Sequence, residues 1–260
     1  MNYSPAQRGA IDLAKRCLVD SIYTSCRVEG LSTTFPDTQK ILDNLPVTTT
    51  TDTVLFTLNM RDAWRFLLDN LDYPVNLMFV RELNKICGER LIYGSGALRT
   101  VEVRIGGSSY IPPIPMQSEV VSQLEEIMRI EDAVSCAVSM FCYLAKAQLF
   151  IDGNKRLAQL VANKILIERG VGILQIDADR VDEFKMNLVD YYESNNSQLE
   201  QFLRECVIYA SPVPSITYRG VTYAVQDVIA DLPFSVRSKY TTDEECALDY
   251  IESYLASQSQ

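Results

Sequence analysis

Histidine does not occur in this 260-residue sequence. Its absence removes the side chain that most often acts as a general base near neutral pH, and the nitrogen ligand zinc most often uses. Cysteine occurs seven times, at 17, 26, 87, 136, 142, 206 and 246. That is an odd set without a Cys-x-x-Cys pair, so a structural zinc site is not expected and the thiols read as reduced core residues. No run of about 18 apolar residues is present, which argues against a membrane-spanning helix. The start Met1-Asn2-Tyr3-Ser4-Pro5 lacks the charged and apolar regions of a signal peptide. A soluble, cytoplasmic protein is the expectation. Excess positive charge is lacking too: a formal net charge of -10 argues against nucleic acid or an anionic membrane as the main partner, while leaving room for a local basic pocket that takes a nucleotide. Tryptophan occurs once, at Trp64, which reads as core. No repeat or low-complexity segment is found.

What is present is a hydrophobic content of 47%, enough for one large domain or a main domain with a small appendage. Ser4-Pro5 supplies a cap and a proline at the first helical position. Ile11, Ala14, Leu18 and Ile22 then recur at helical spacing, which predicts one helix running to Glu29 and ending at Gly30. Further helices are expected around 54–70, 76–90, 120–127 and 134–148. Between Gly94 and Pro115 the pattern alternates through Arg99 to Ile105, turns at Gly106-Gly107 and meets Pro112-Pro113, which reads as a β-hairpin. After 152–154 a helix resumes through Leu157, Leu160, Val161 and Ile165. Asp177 and Ser197 are candidate caps of two more helices, the second with a Ser197-to-Glu200 capping box. Ser211-Pro212-Val213-Pro214 marks a boundary, followed by a hairpin over Ile216–Tyr223 and a last helix from Thr242 carrying Leu248, Ile251 and Leu255. These last residues are too few to build a core of their own and are expected to pack on the main body.

The stretch Phe150-Ile151-Asp152-Gly153-Asn154-Lys155-Arg156 joins two of these helices. Gly153 lets backbone amides approach a phosphate at a helix start. Asn154 adds a neutral amide, Lys155 and Arg156 add positive charge, and Asp152 can ligate the magnesium that accompanies nucleotides. Taken alone, the same string also reads as a capped inter-helix turn with a solvated basic pair.

The loop resembles the signature of the Fic family, His-x-Phe-x-(Asp/Glu)-Gly-Asn-(Gly/Lys)-Arg-x-x-Arg, at Phe150, Asp152, Gly153, Asn154, Lys155 and Arg156. Ser25-Cys26-Arg27-Val28-Glu29-Gly30 is similar to the family's inhibitory-helix pattern (Ser/Thr)-x-x-x-Glu-(Gly/Asn). Leu98 to Pro113, with Ile105-Gly106-Gly107 at its centre, resembles its flap hairpin. The resemblance runs from about residue 10 to 205 and implies an all-α helical bundle with a β-hairpin flap (94–115), an active-site loop (148–159) and a small C-terminal appendage. The division expected is an N-terminal inhibitory helix segment over 1–35, a core over 36–210 and the appendage over 211–260. It further implies binding of ATP with Mg2+ or Mn2+ and transfer of AMP to a Ser, Thr or Tyr hydroxyl of a target protein. In this reading Gly153, Asn154, Lys155 and Arg156 bind nucleotide, Asp152 holds metal, Ser25 and Glu29 inhibit, and Ile105, Gly106 and Gly107 hold the target by strand addition. A homo-oligomer is compatible with the sequence.

Two positions depart from the pattern. The family's catalytic histidine falls at Gln148, whose neutral amide cannot accept a hydroxyl proton near neutral pH. Its second arginine falls at Gln159, which removes a charge that in relatives pairs with the inhibitory glutamate, so Glu29 is expected to be held by an amide hydrogen bond; by sequence alone, Glu29 also reads as a solvated residue before a helix-ending glycine. Three functions follow: a weakened adenylyltransferase, a non-catalytic nucleotide-binding or protein-interaction module, or, because some relatives with lysine at the position of Lys155 move phosphate, a phosphotransferase. Arg99 and Arg104 read as target-steering or merely solubilising charges on an exposed hairpin, and Tyr191, Tyr192 and Phe202 as core.

Overall fold

Ser4 caps the first helix as the sequence predicts: its hydroxyl accepts from the Gln7 backbone while the Gln7 side chain accepts from the Ser4 N–H. The computed structural model describes residues 3–230, 232 and 234–258. Met1, Asn2 and the Leu255 side chain lie outside the described residues. The helices are α1 (Pro5–Arg16), α2 (Leu18–Val28), α3 (Phe35–Leu42), α4 (Thr51–Asp69), α5 (Leu77–Cys87), α6 (Gln117–Met128), α7 (Ala133–Ala147), α8 (Asn154–Glu168), α9 (Val181–Ser194), α10 (Gln198–Glu205), α11 (Val225–Ile229), α12 (Phe234–Arg237) and α13 (Asp243–Gln258). Four short strands form two antiparallel pairs, β1 (Gly172–Leu174) with β2 (Val207–Tyr209) and β3 (Ser215–Tyr218) with β4 (Val221–Ala224). The fold is all-α.

The centre of the molecule is α8, packed most extensively against α7. From Asn154 to Ile167 every residue of α8 except Lys155 is buried, the pattern of a helix enclosed on all sides. Even Lys164 is fully buried. Its ammonium donates to the Leu71 carbonyl at 2.6 Å and to Glu168 at 2.8 Å, so the charge is compensated where it sits. Because α8 begins at the loop singled out in the sequence, that loop is mounted on a helix enclosed by the core.

One continuous apolar cluster runs from Ala10 to Val207 and takes in α1 and α2. Trp64, Tyr192 and Phe202 belong to it, as their spacing predicts, while Tyr191 is partly buried at its edge. A second, small cluster gathers Val225, Ile229, Cys246 and Ala247, so the last fifty residues do have a core of their own, contrary to the expectation. They also dock on α1. The Val213 N–H donates to the Pro5 carbonyl at 3.0 Å, Arg8 pairs with Asp227, and Gly9 lies so close to the chain that an added Cβ would meet the Ser211 oxygen at 2.1 Å.

Several local readings differ from the sequence expectation. The first helix is two helices separated at Cys17, and α3 was not anticipated. Ser197 precedes α10 without a capping bond; the Asn196 side chain accepts the Gln198 N–H instead, at 3.3 Å. The β1–β2 pair is three residues long on each side, too short for alternation to be read. The hairpin expected over 94–115 reverses at Gly106-Gly107 but has no strand ladder. Its hydrogen-bonding groups are committed elsewhere: Pro112, Pro113 and Pro115 have no N–H to give, three carbonyls accept from Arg99, and the Ser109 N–H goes to Glu193.

Candidate active site

The chain leaves α7 at Gln148, in a left-handed conformation (φ 45°, ψ 60°), and enters α8 through Gly153, also left-handed at φ 81°. Leu149 and Phe150 are buried and anchor the turn between them. Asn154 closes it. Its carboxamide accepts the Phe150 N–H at 3.0 Å and donates to the Phe150 carbonyl at 2.9 Å and to Gln148 Oε1 at 3.0 Å. With all of these bonds internal, Asn154 shapes the loop from within. Gln148 in turn donates its amide to the Ala145 carbonyl at 2.7 Å.

Asn84 of α5, which sequence reading missed, fixes the loop from below: its amide donates to the Asp152 carbonyl at 3.0 Å and accepts the Gly96 N–H at 2.8 Å. A Cβ at Gly153 would lie 3.1 Å from that amide, and the left-handed backbone disfavours any side chain there. The available signal was a polar residue on the buried stripe Val80, Asn84, Cys87.

The carboxylate expected to inhibit is present in the same place. Glu29, at the C-terminal cap of α2, lies 3.3 Å from Lys155 Nζ and 3.6 Å from Arg156 Nε. The expected amide bond from Gln159 to Glu29 does not form. Helices α2 and α8 meet in antiparallel register, so Glu29 faces Lys155 while Ser25, one turn earlier, faces Gln159, its hydroxyl 3.2 Å from Gln159 Oε1 and donating to the Ser21 carbonyl at 2.8 Å. Arg156 is buried, lies 4.9 Å above the Phe56 ring, donates to the Cys87 carbonyl at 3.2 Å and approaches Asp152 Oδ1 at 3.6 Å. Glu29 Oε1, Arg156 Nε and Gln159 Nε2 are buried without a hydrogen-bond partner. The clamp on Glu29 is therefore electrostatic and slack.

In front of the loop is a cleft of about 430 Å³, bounded by Gln148, Asp152 and Lys155, by Val103 to Gly106 of the flap, and by Lys185 and Tyr192 of α9. Ile105, Gly106 and Gly107 stand at its rim, where the flap turns. The flap's position is set by two side chains. Arg99, expected to be exposed, is 3% exposed and bridges the two arms. Glu193 of α9 holds the tip, accepting from Ser108 Oγ at 2.6 Å, the Ser109 N–H at 2.5 Å and Ser109 Oγ at 2.7 Å. Tyr110 lies on the far side, its ring 4.7 Å from Lys146 Nζ.

Those three bonds hold the Glu193 carboxyl down at about 2. A lowered carboxylate pKa contributes stability that is complete above the ordinary value and is lost as pH falls through the folded one. The flap tip is thus expected to stay anchored as pH drops from neutral through about 4.5 and to release near 2, whereas Glu193→Gln should release it at every pH. Hydrogen exchange at the Ser109 amide measures this; equal protection in the two proteins at neutral pH would refute the anchor.

The buried thiols are no substitute for the missing base. Burial pushes Cys87 and Cys142 up to about 12 and Cys26 to about 11, so they remain protonated and inert near neutral pH.

The donor set fits a phosphorylated nucleotide with magnesium. The first turn of α8 has no side-chain cap, which leaves backbone N–H groups for an anion. The cleft falls in the range of roughly 300–1,000 Å³ usual for small-molecule sites. Among the described residues no group of three or more His, Cys, Asp or Glu could cage a metal. Asp152 is exposed and lines the cleft; its Oδ1 accepts the Gly153 N–H at 2.6 Å and lies 3.6 Å from Arg156, which leaves Oδ2 as the carboxylate oxygen that suits magnesium shared with phosphate oxygens.

The model of the Fic/DOC family matches residues 74–166. Among solved structures, the chain is similar to Fic-1 (residues 134–508) of C. elegans at 20% identity and TM-score 0.61, covering 78% of this chain and 62% of that one. It is similar to a Fic family protein of Desulfovibrio desulfuricans G20 at 14% and 0.60, with 77% and 64% covered. A Fic domain containing signaling protein of Bacteroides thetaiotaomicron VPI-5482 follows at 19% and 0.59, with 76% and 85% covered. The chain thus spans less than two thirds of the first two structures. No curated protein matches it. No helix among the described residues is long and apolar enough to cross a membrane.

Proposed function

We propose that this chain, whose residues 74–166 match the model of the Fic/DOC family, transfers AMP from ATP to a hydroxyl of a target protein, slowly and under inhibition by Glu29. In that reaction the hydroxyl oxygen bonds to the α-phosphorus, the bond to pyrophosphate breaks, and the hydroxyl proton departs. ATP supplies the activated phosphorus, and magnesium at Asp152 would offset charge on its phosphates. The remaining work falls to the chain. The uncapped start of α8 behind Gly153 receives phosphate oxygens, and Arg156 and Lys155 add charge once they are free of Glu29. The turn at 105–107, closed by the Ser108 N–H donating to the Ile105 carbonyl at 3.2 Å, offers its remaining backbone groups to an extended target segment. Gln148 orients the hydroxyl but cannot take its proton, which passes to solvent or a phosphate oxygen.

The observation that supports inhibition is the seat of Glu29 on both loop cations. Freeing them should raise transfer about tenfold or more, since a charge-assisted contact is worth roughly 1.5–3 kcal/mol. Incubation with α-labelled ATP, magnesium and candidate target proteins, comparing the native chain with Glu29→Gly, tests this. No label with either protein would refute transfer. A second reading, a nucleotide-holding module without catalysis, is favoured by the Gln148 amide, which is held by one N–H on the Ala145 carbonyl of α7 and by the Asn154 amide on its Oε1. It requires calorimetric binding of ATP without turnover. Label from γ-labelled but not α-labelled ATP would instead indicate phosphate transfer.

A further inference from the structure

The cations named so far are already spoken for. Lys155 and Arg156 bring two positive charges, Glu29 and Asp152 two negative ones, joined by contacts of 3.3 Å (Lys155 to Glu29) and 3.6 Å (Arg156 to Glu29 and to Asp152), so this part of the site is neutral. Gln159 adds nothing. While Glu29 is seated, a polyphosphate entering the cleft must draw counter-charge beyond that of magnesium from other side chains, and two further cations line it, Arg104 on the flap and Lys185 on α9. Neither has a carboxylate within 4 Å among the described residues. Arg104 is exposed on a loop. Lys185 is half-buried on a fourteen-residue helix whose neighbouring turns, through Leu188 and Tyr192, are fixed in the core.

The ammonium of Lys185 donates to the Arg27 carbonyl at 3.1 Å, in the last turn of α2, two residues before Glu29. An ammonium has three protons, and that carbonyl takes one. We propose that Lys185 is a polyphosphate-binding residue of this cleft: tethered to α2 by one proton, it offers the other two to the phosphate oxygens of the nucleotide and supplies the net positive charge that the loop lacks. Its position follows from the tether, which holds the ammonium beside the end of α2, on the α9 wall of the cleft. This rests on the nucleotide-binding reading above and adds to it a residue outside the loop.

Calorimetric titration with ATP and with adenosine, each in magnesium, tests the assignment on the full chain and on Lys185→Met and Lys185→Arg. Methionine keeps most of the aliphatic stem and removes the charge. ATP affinity is expected to fall roughly tenfold in Lys185→Met, with adenosine affinity unchanged and Lys185→Arg retaining most of the ATP affinity. A tethering role alone would lower both ligands together, and that result overturns the proposal, as does undiminished ATP binding. So does a variant whose KM for the target protein rises while ATP affinity stays the same, because Lys185 would then serve an acidic target side chain. Failure of the native chain to bind ATP would instead refute the nucleotide reading itself, before any variant is compared.

Discussion

Gln148→His, made in the Glu29→Gly background so that inhibition does not mask it, is expected to raise AMP transfer by about 10²- to 10⁴-fold, the range a positioned general base contributes. The backbone is ready for the change. Position 148 is left-handed at φ 45°, a region where histidine is among the better tolerated residues. Its surroundings also fix an imidazole: the Ala145 carbonyl that now accepts the Gln148 amide at 2.7 Å can accept one ring N–H, leaving the other nitrogen to receive a proton. The transfer rate should acquire a dependence the native chain lacks, rising with pH through the ordinary imidazole range near 6.5 as the ring becomes neutral. Incorporation of α-label measured between pH 5 and 8 checks both effects. A rate that stays at the native level, with ATP binding intact, would mean the loop does not place a hydroxyl beside position 148, and the non-catalytic module would then be the better description.

Much of this site was legible because its signals are local. A glycine before a basic pair, at the start of an apolar periodicity, marks an anion-ready helix start, and the structure puts Gly153, Lys155 and Arg156 there. The four-residue interval between Ser25 and Glu29 gave one helix face, and that face does meet α8. What the sequence could not give was depth and register. The motif pairs Glu29 with Gln159, whereas antiparallel packing shifts it one turn along α8 to Lys155. Asn154 looked like a phosphate ligand because a polar side chain in a loop does; only tertiary geometry shows its carboxamide consumed by Phe150 and Gln148. The flap failed for a related reason. Alternation predicts strands when backbone groups pair with each other, but here a side chain from within the segment takes the carbonyls, and no periodicity records that. Glu193 and Lys185 lie on α9, about eighty residues from the flap and more than 150 from α2, and nothing near them in sequence marks their partners.

Arg99→Ala is expected to destabilise the protein by about 3–5 kcal/mol, in the range reserved for breaking a buried polar network, and so to lower Tm by roughly 10 °C for a chain of this size. The guanidinium is 3% exposed and donates to four carbonyls: Gln148 at 2.5 Å, Val101 at 2.8 Å, Pro112 at 3.1 Å and Pro113 at 2.6 Å. No carboxylate lies within 4 Å of it among the described residues, so carbonyl dipoles do the compensating. Burial nonetheless lowers its pKa, with Tyr110 and Glu102 partly restoring it. Removing it leaves four carbonyls without their donor, one of them, Pro112, buried, and cuts the link that this side chain makes between the flap at Val101, Pro112 and Pro113 and the loop at Gln148, leaving the Arg99 N–H bond to the Leu149 carbonyl at 3.0 Å. Lysine should not rescue the loss, since its three protons radiate from a point and cannot reproduce the planar fork that spans both arms. Arg99→Met separates bonds from bulk: it keeps the stem that packs beneath the flap, and if hydrogen bonding dominates it should retain less than half of the lost stability. Thermal unfolding of the three variants measures this, together with hydrogen exchange over residues 101–113, which should rise in all of them well below the melting transition. Should Arg99→Ala unfold within about 1 kcal/mol of the native chain, the flap must be held chiefly by Glu193 at its tip, and the coupling between flap and loop through the Gln148 carbonyl would have to be given up.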